Sequence, residues 1–192
     1  FTWLLALSIT STGTAFAAPP CDAPEFRQFD FWIGDWQVFK PDGTVAGTNR
    51  IEQEYGGCVL HEHYQTAKGY TGESLNTYDP GRKRWHQTWV DNTGTLLLLD
   101  GNLQGRAMVM EGSTTDASGV VTRHRITWTP NDDCSVRQHW QSTDATGAWV
   151  TAFDGVAGAG HVQTGRRQWG PALAYLAAGL AALYTLYYVA LL

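Results

Sequence analysis

Phe29-Asp30-Phe31-Trp32-Ile33-Gly34-Asp35-Trp36 is the densest aromatic run in the chain, and it opens a long series of short segments punctuated by turn residues. The turn signals recur about every 10–13 residues: Pro41-Asp42-Gly43, Gly56-Gly57, Lys68-Gly69, Asp79-Pro80-Gly81, Asp91-Asn92-Thr93-Gly94, Gln104-Gly105, Asp116-Ala117-Ser118-Gly119, Asn131-Asp132-Asp133 and Asp144-Ala145-Thr146-Gly147. Asp and Asn bond to nearby backbone, and Gly takes positive φ without a steric cost. Between these turns lie segments rich in β-branched and aromatic residues, as strands prefer. Only residues 24–31 hint at a helical stripe, which predicts one short helix. Evenly spaced strands joined by hairpins predict an all-β fold: a single up-and-down antiparallel barrel of about ten strands, closed so that no sheet edge stays unpaired.

Strict alternation sorts the two faces of each strand. Leu60, Glu62 and Tyr64 share one face, and His61, His63 and Gln65 the other. Ser74, Asn76 and Tyr78 oppose Leu75 and Thr77; Trp85, Gln87, Trp89 and Asp91 oppose Arg84, His86 and Thr88. Ile126 and Trp128 oppose Arg123 and Arg125; Val136, Gln138, Trp140 and Ser142 oppose Arg137, His139 and Gln141. In the last segment Trp149, Thr151 and Phe153 align. The aromatic face belongs inside. It carries a polar minority, Glu62, Asn76, Gln87 and Gln138, and an unpaired buried polar group costs about 1–3 kcal/mol. Such groups on one inner surface predict a wet cavity, a hydrogen-bonded network or a ligand with polar atoms.

Charge and composition narrow the partners. The net charge is −5, with no basic stripe, which argues against a nucleic-acid partner. Seven of the nine Trp lie between Trp32 and Trp149, and the indole, apolar with one N–H, suits a cavity with polar contents. The three cysteines, Cys21, Cys58 and Cys134, allow one disulfide and one free thiol, with the pairing left open. Residues 1–17 read as the end of a secretory signal with Ala15-Phe16-Ala17 as its cleavage site. A lipoprotein signal ending at Cys21 is the rival reading. Residues 18–28 then form a leader, 29–156 the barrel, 157–170 a Gly-rich linker, and 171–192 an uncharged stretch. As a helix that stretch would be about 33 Å long, enough to cross a bilayer core. A frame-shifted end and a cleaved anchor signal compete with the membrane reading of it.

Several spaced motifs carry a family resemblance. Residues 29–36 together with Gly57-Cys58-Val59-Leu60-His61-Glu62, Gly72-Glu73-Ser74-Leu75-Asn76-Thr77-Tyr78-Asp79, Trp85-His86-Gln87-Thr88-Trp89-Val90-Asp91 and Val136-Arg137-Gln138 resemble an uncharacterised family of exported bacterial proteins. Its fold belongs with the lipocalin-like (calycin) barrels, and it has no agreed activity. Gly34-Asp35-Trp36 is similar to the G-x-W of lipocalins, where the Trp closes one barrel end beneath a late Arg; the resemblance implies that Arg125 or Arg137 stacks on Trp36. After Gly155 the chain departs from the family pattern.

The expected function is an exported module binding a small hydrophobic or amphipathic ligand, with Glu62, Tyr64, Asn76, Trp85, Gln87, Trp89, Trp128, Gln138 and Trp140 as its site, and with membrane contact through 171–192. Glu62 facing an aromatic interior has the raised pKa that a ligand anchor or general base needs. An enzyme using Glu62 as acid or base and a structural subunit with a filled barrel are the alternatives. His61-Glu62-His63 lacks the helical spacing of zinc proteases; on a strand its two histidines share one face and could be two ligands of a metal, but that face is outward, with His86 and His139, so solvated surface histidines and no metal or other cofactor are expected. A haem reading, by similarity to haem-holding ten-stranded barrels, needs an inward His, and only His124 qualifies.

Overall fold

The computed structural model describes residues 21–158. Ten strands follow one another: β1 (Gly34–Phe39), β2 (Val45–Glu54), β3 (Val59–Gln65), β4 (Thr71–Asp79), β5 (Arg84–Asp91), β6 (Leu96–Gln104), β7 (Ala107–Thr115), β8 (Val121–Pro130), β9 (Val136–Thr143) and β10 (Trp149–Gly158). Each pairs antiparallel with the next, and β1 returns to β10 to close the barrel. The closing seam is short: Gln37, Val38 and Phe39 against Gly158, Ala157 and Val156. The strand ends two residues past the expected barrel limit. The segments read as signal sequence and membrane helix lie outside the described residues; among the described residues no helix is long and apolar enough to cross a membrane.

Three hairpins at one end share the sequence Asp-x-Ser/Thr-Gly, and their chemistry explains their regularity. Asp91, Asp116 and Asp144 each accept, at Oδ1, the backbone N–H and the hydroxyl of the residue two further on. The glycines that follow, Gly94, Gly119 and Gly147, have φ of 86°, 87° and 83°, where a side chain would be strained.

The opposite end is plugged from within. The expected helix at 24–31 is realised as two 3-10 turns, Pro24–Arg27 and Asp30–Trp32. They carry Phe29 and Trp32 into the barrel, where the two rings stack with centroids 4.8 Å apart and Phe29 meets Trp85 and Trp128 edge-on at 5.6 and 5.3 Å. Aromatic pairs in these geometries add to the burial of their area. Cys21 and Cys58 form a disulfide that pins this segment to the start of β3, and Arg27 donates to the Gly57 carbonyl beside it. Cys134, exposed, is the free thiol.

Two expectations about aromatic placement are corrected. Trp149 and Thr151 do not share the inward face of Phe153, because the β9–β10 register slips between Thr151 and Phe153. A bulge inserts one residue and reverses the parity of the strand. Thr151 therefore meets the outward His139 at 3.0 Å, and Trp149 lies outside under the guanidinium groups of Arg123 and Arg125, at 5.1 and 4.6 Å. Nor does Trp36 sit beneath a late Arg. It donates its indole N–H to the Trp32 carbonyl at 2.8 Å, while Arg137 forks onto Asp154 at 2.8 and 2.7 Å. A bidentate ion pair on the neighbouring strand outbids an exposed cation–π contact.

Candidate functional site: a cavity beneath the open rim

Above the aromatic plug the barrel is not filled. A cavity of about 250 Å³ lies between the plug and the hairpin end, under the β3–β4 connection, which contributes Thr66 and Tyr70. Of the sequence-predicted site, Glu62, Tyr64, Gln87, Trp89, Trp128, Gln138 and Trp140 line it. Trp85 packs lower, against Phe29 and Tyr78, and donates its N–H to Gln28 at 3.3 Å. Asn76 is fully buried behind the wall. Thr66, Tyr70, Ala152 and Phe153 complete the upper lining. Tyr70 lies in a hairpin, where alternation says nothing, and Ala152 enters by the bulge.

Glu62 sits at the centre of a chain of buried hydrogen bonds that crosses four strands. Asn49 on β2 donates to Oε1 at 2.7 Å, and Ser74 on β4 donates to Oε2 at 2.6 Å. Asn76 donates to Ser74 Oγ at 2.9 Å and to the Leu60 carbonyl at 3.1 Å, and Gln87 on β5 donates to Asn76 Oδ1 at 2.7 Å. Each member of this chain is at most 4 % exposed. Burial drives the Glu62 carboxyl up to about 7, against the opposing pull of the Ser74 and Asn49 bonds and of His61. Each carboxylate oxygen has a second lone pair still open. Asn49 was not visible as a site residue, because β2 alternates without aromatic markers.

The upper walls are set by glycines. The Trp89 ring lies flat on Gly72, where a Cβ would overlap its edge, and the Tyr64 ring lies on Gly47, where a Cβ would come within 2.9 Å of the phenol oxygen. Asp91 fixes the rim from above, accepting from Tyr70 Oη at 2.9 Å and from Trp89 Nε1 at 3.3 Å. Burial raises the Asp91 carboxyl, but bonds from Thr93, Tyr70 and Thr95 outweigh it and hold the group well below the usual carboxylate range. Burial, reinforced by that carboxylate, pushes the Tyr70 phenol up. Tyr64 is raised as well, by burial and by Glu62.

Not all the polar lining is spent. Trp128 Nε1 is buried and has no partner among the described residues, and the same holds for Asn49 Oδ1 behind Glu62. The Gln138 amide and the Tyr64 hydroxyl, both on the cavity wall, make no hydrogen bond among the described residues. His124, the one inward histidine among the described residues, does not face the cavity as a free ligand. It is bonded to Thr114 at 2.9 Å and to the Trp140 indole at 3.2 Å.

These features define a closed ten-stranded antiparallel barrel with a plugged base and an internal, aromatic-walled cavity. The chain belongs to the family described as a protein of unknown function, DUF1579, whose pattern matches residues 32–157. No curated protein matches it.

Proposed function

We propose that the protein is an exported binding module that holds a small amphipathic molecule inside the barrel. The observation that carries this reading is the unspent hydrogen-bonding capacity on an otherwise apolar wall: the Gln138 amide, the Tyr64 hydroxyl and the open lone pairs of Glu62. The apolar body of the ligand lies between Trp89, Trp140 and Phe153, and its polar atoms reach Glu62 on β3 or Gln138 on β9. A volume of about 250 Å³ falls just under the range of about 300–1,000 Å³ that drug-sized ligands occupy, so the occupant is small. The cavity also weighs against a filled barrel serving only as scaffold. Export is supported by the Cys21–Cys58 disulfide, which suits an oxidising compartment, and by the likeness of residues 1–17 to a secretory signal.

Native mass spectrometry of the full chain, purified after export, tests this directly. The expected result is an excess mass that leaves on denaturation, together with a saturable change in Trp emission when the released molecule is titrated back. Gln138→Leu should weaken that binding by about tenfold, the worth of one hydrogen bond of about 1.4 kcal/mol, without loss of the fold. A bare mass combined with no response to a panel of lipids, haem and aromatic acids would sink the proposal.

A further inference from the structure

The outer face of β2, β3 and β4 carries a second cluster, on the far side of the sheet from the cavity. His61 and His63 stand side by side on β3, ring centroids 3.9 Å apart. Glu52 and Glu54 approach them from β2, and Glu73 from β4. Every imidazole nitrogen faces a carboxylate oxygen. His61 Nδ1 is 3.3 Å from Glu54 and its Nε2 is 3.3 Å from Glu73; His63 Nδ1 is 3.2 Å from Glu73 and its Nε2 is 3.9 Å from Glu52. Arg50, 3.2 Å from Glu52, is the fixed cation beside the group. The ion-pair partners of Glu54 and Glu73 among the described residues are these histidines.

The hydrogen count does not close. A neutral imidazole has one N–H and one lone pair. Glu73 touches one nitrogen of each ring and is placed to accept from both in the tautomers His61 Nε2–H and His63 Nδ1–H. That leaves the lone pair of His61 Nδ1 pointing at the Glu54 carboxylate and the lone pair of His63 Nε2 toward Glu52.

We propose that His61 Nδ1, His63 Nε2 and the Glu54 carboxylate bind a divalent metal of the zinc class, with Glu52 as the next oxygen in reach. One donor atom from each of Glu54, His61 and His63 lies within 4.8 Å of the others. A tetrahedral ion 2.0–2.2 Å from its ligands holds them about 3.4 Å apart. The His61–Glu54 edge already has that length at 3.3 Å, and His63 closes the rest by a small side-chain rotation. Imidazole donors favour zinc and its neighbours over magnesium or calcium. Glu73 is a positioning residue: by accepting a proton-bearing nitrogen from each ring it fixes the tautomer that leaves the metal-binding nitrogens free.

Calorimetric titration of Zn²⁺ into the chelator-treated full chain tests the site, with Cys134→Ser as the background to remove the free thiol. One equivalent should bind saturably. His61→Ala and His63→Ala should each abolish that binding, and Glu73→Gln should weaken it about 10–100-fold, the usual effect of losing an orienting partner. His139→Ala should leave it unchanged. Co²⁺ in place of Zn²⁺ should give the visible absorption of a tetrahedral site, lost in the same variants. Equal melting temperatures in the presence of chelator establish that the variants fold. Absence of saturable binding, or binding that survives loss of both histidines, overturns the assignment.

Discussion

A neutral imidazole has one donor and one acceptor, and His124 spends both inside the barrel. The Trp140 indole can only donate, so Nδ1 accepts from it at 3.2 Å and Nε2 carries the proton toward Thr114 Oγ1 at 2.9 Å. Burial holds the His124 pKa below its ordinary value. A protonated ring would have to give up the Trp140 bond as well. The sign follows from linkage: with the folded pKa below the unfolded one, the unfolded chain binds the extra proton. The stability His124 contributes is therefore complete above about pH 6.5 and is lost as pH falls through the lowered folded value. Urea unfolding at pH 7.5 and pH 5 should show the native chain losing more of its midpoint than His124→Asn does. Equal losses would mean that the ring is not held neutral in the fold. Trp140 lines the cavity, so the same protonation should loosen ligand binding in acid.

At the scale of the strands, the shape of the cavity is written in pairs of aromatic and glycine across neighbouring strands. Gly72 on β4 lets the Trp89 ring of β5 lie flat, with its N–H on Asp91. Gly72→Ala puts a methyl group where the ring is, and the Val90 carbonyl at 2.9 Å blocks escape the other way. The indole must swing into the cavity and leave Asp91. Overpacking of this kind costs about 1–3 kcal/mol, and ligand binding should fall with it. In a Trp89→Ala background most of that cost should vanish; a cost that persists would place the strain in the backbone and not in the ring. Pairs like this mark how far the strands were legible. Alternation placed Glu62, Gln87, Trp128 and Trp140 inward, because a half-buried strand must repeat every two residues. It failed where the period breaks. The bulge at Ala152 turned Trp149 outward, and nothing in the local sequence signals it. Asn49 escaped because its strand offers no aromatic neighbours to betray the inner face. The outward position of His61 and His63 was legible, but the carboxylates that converge on them come from two other strands, and their register is a product of the whole sheet.

For the molecule as a whole, the two ends of the barrel are built to different standards. The rim is open between regular hairpins, and the base is closed by Phe29 and Trp32, carried on a segment with no strand pairing of its own. That segment precedes β1 and is fastened at its start by Cys21–Cys58, a link across 37 residues of sequence. In the chain-entropy account, a loop of this length stabilises the fold by about 4 kcal/mol through restriction of the unfolded chain. Its second effect is local. Without the link the plug is held by ring contacts, by Arg27 on Gly57 and by the indole N–H groups of Trp85 and Trp36 on Gln28 and the Trp32 carbonyl, and its opening no longer requires the barrel to unfold. Cys21→Ser with Cys58→Ser should therefore lower global stability by up to about 4 kcal/mol. Amide exchange in residues 22–33 should rise more than in β6 or β7, whose hydrogen bonds lie within the sheet. Because Trp128 joins the plug to the cavity floor, the same variant should release bound ligand faster while leaving the rim contacts intact. If exchange rises uniformly along the chain instead, the plug and the barrel unfold as one unit, and the disulfide acts on the unfolded state alone.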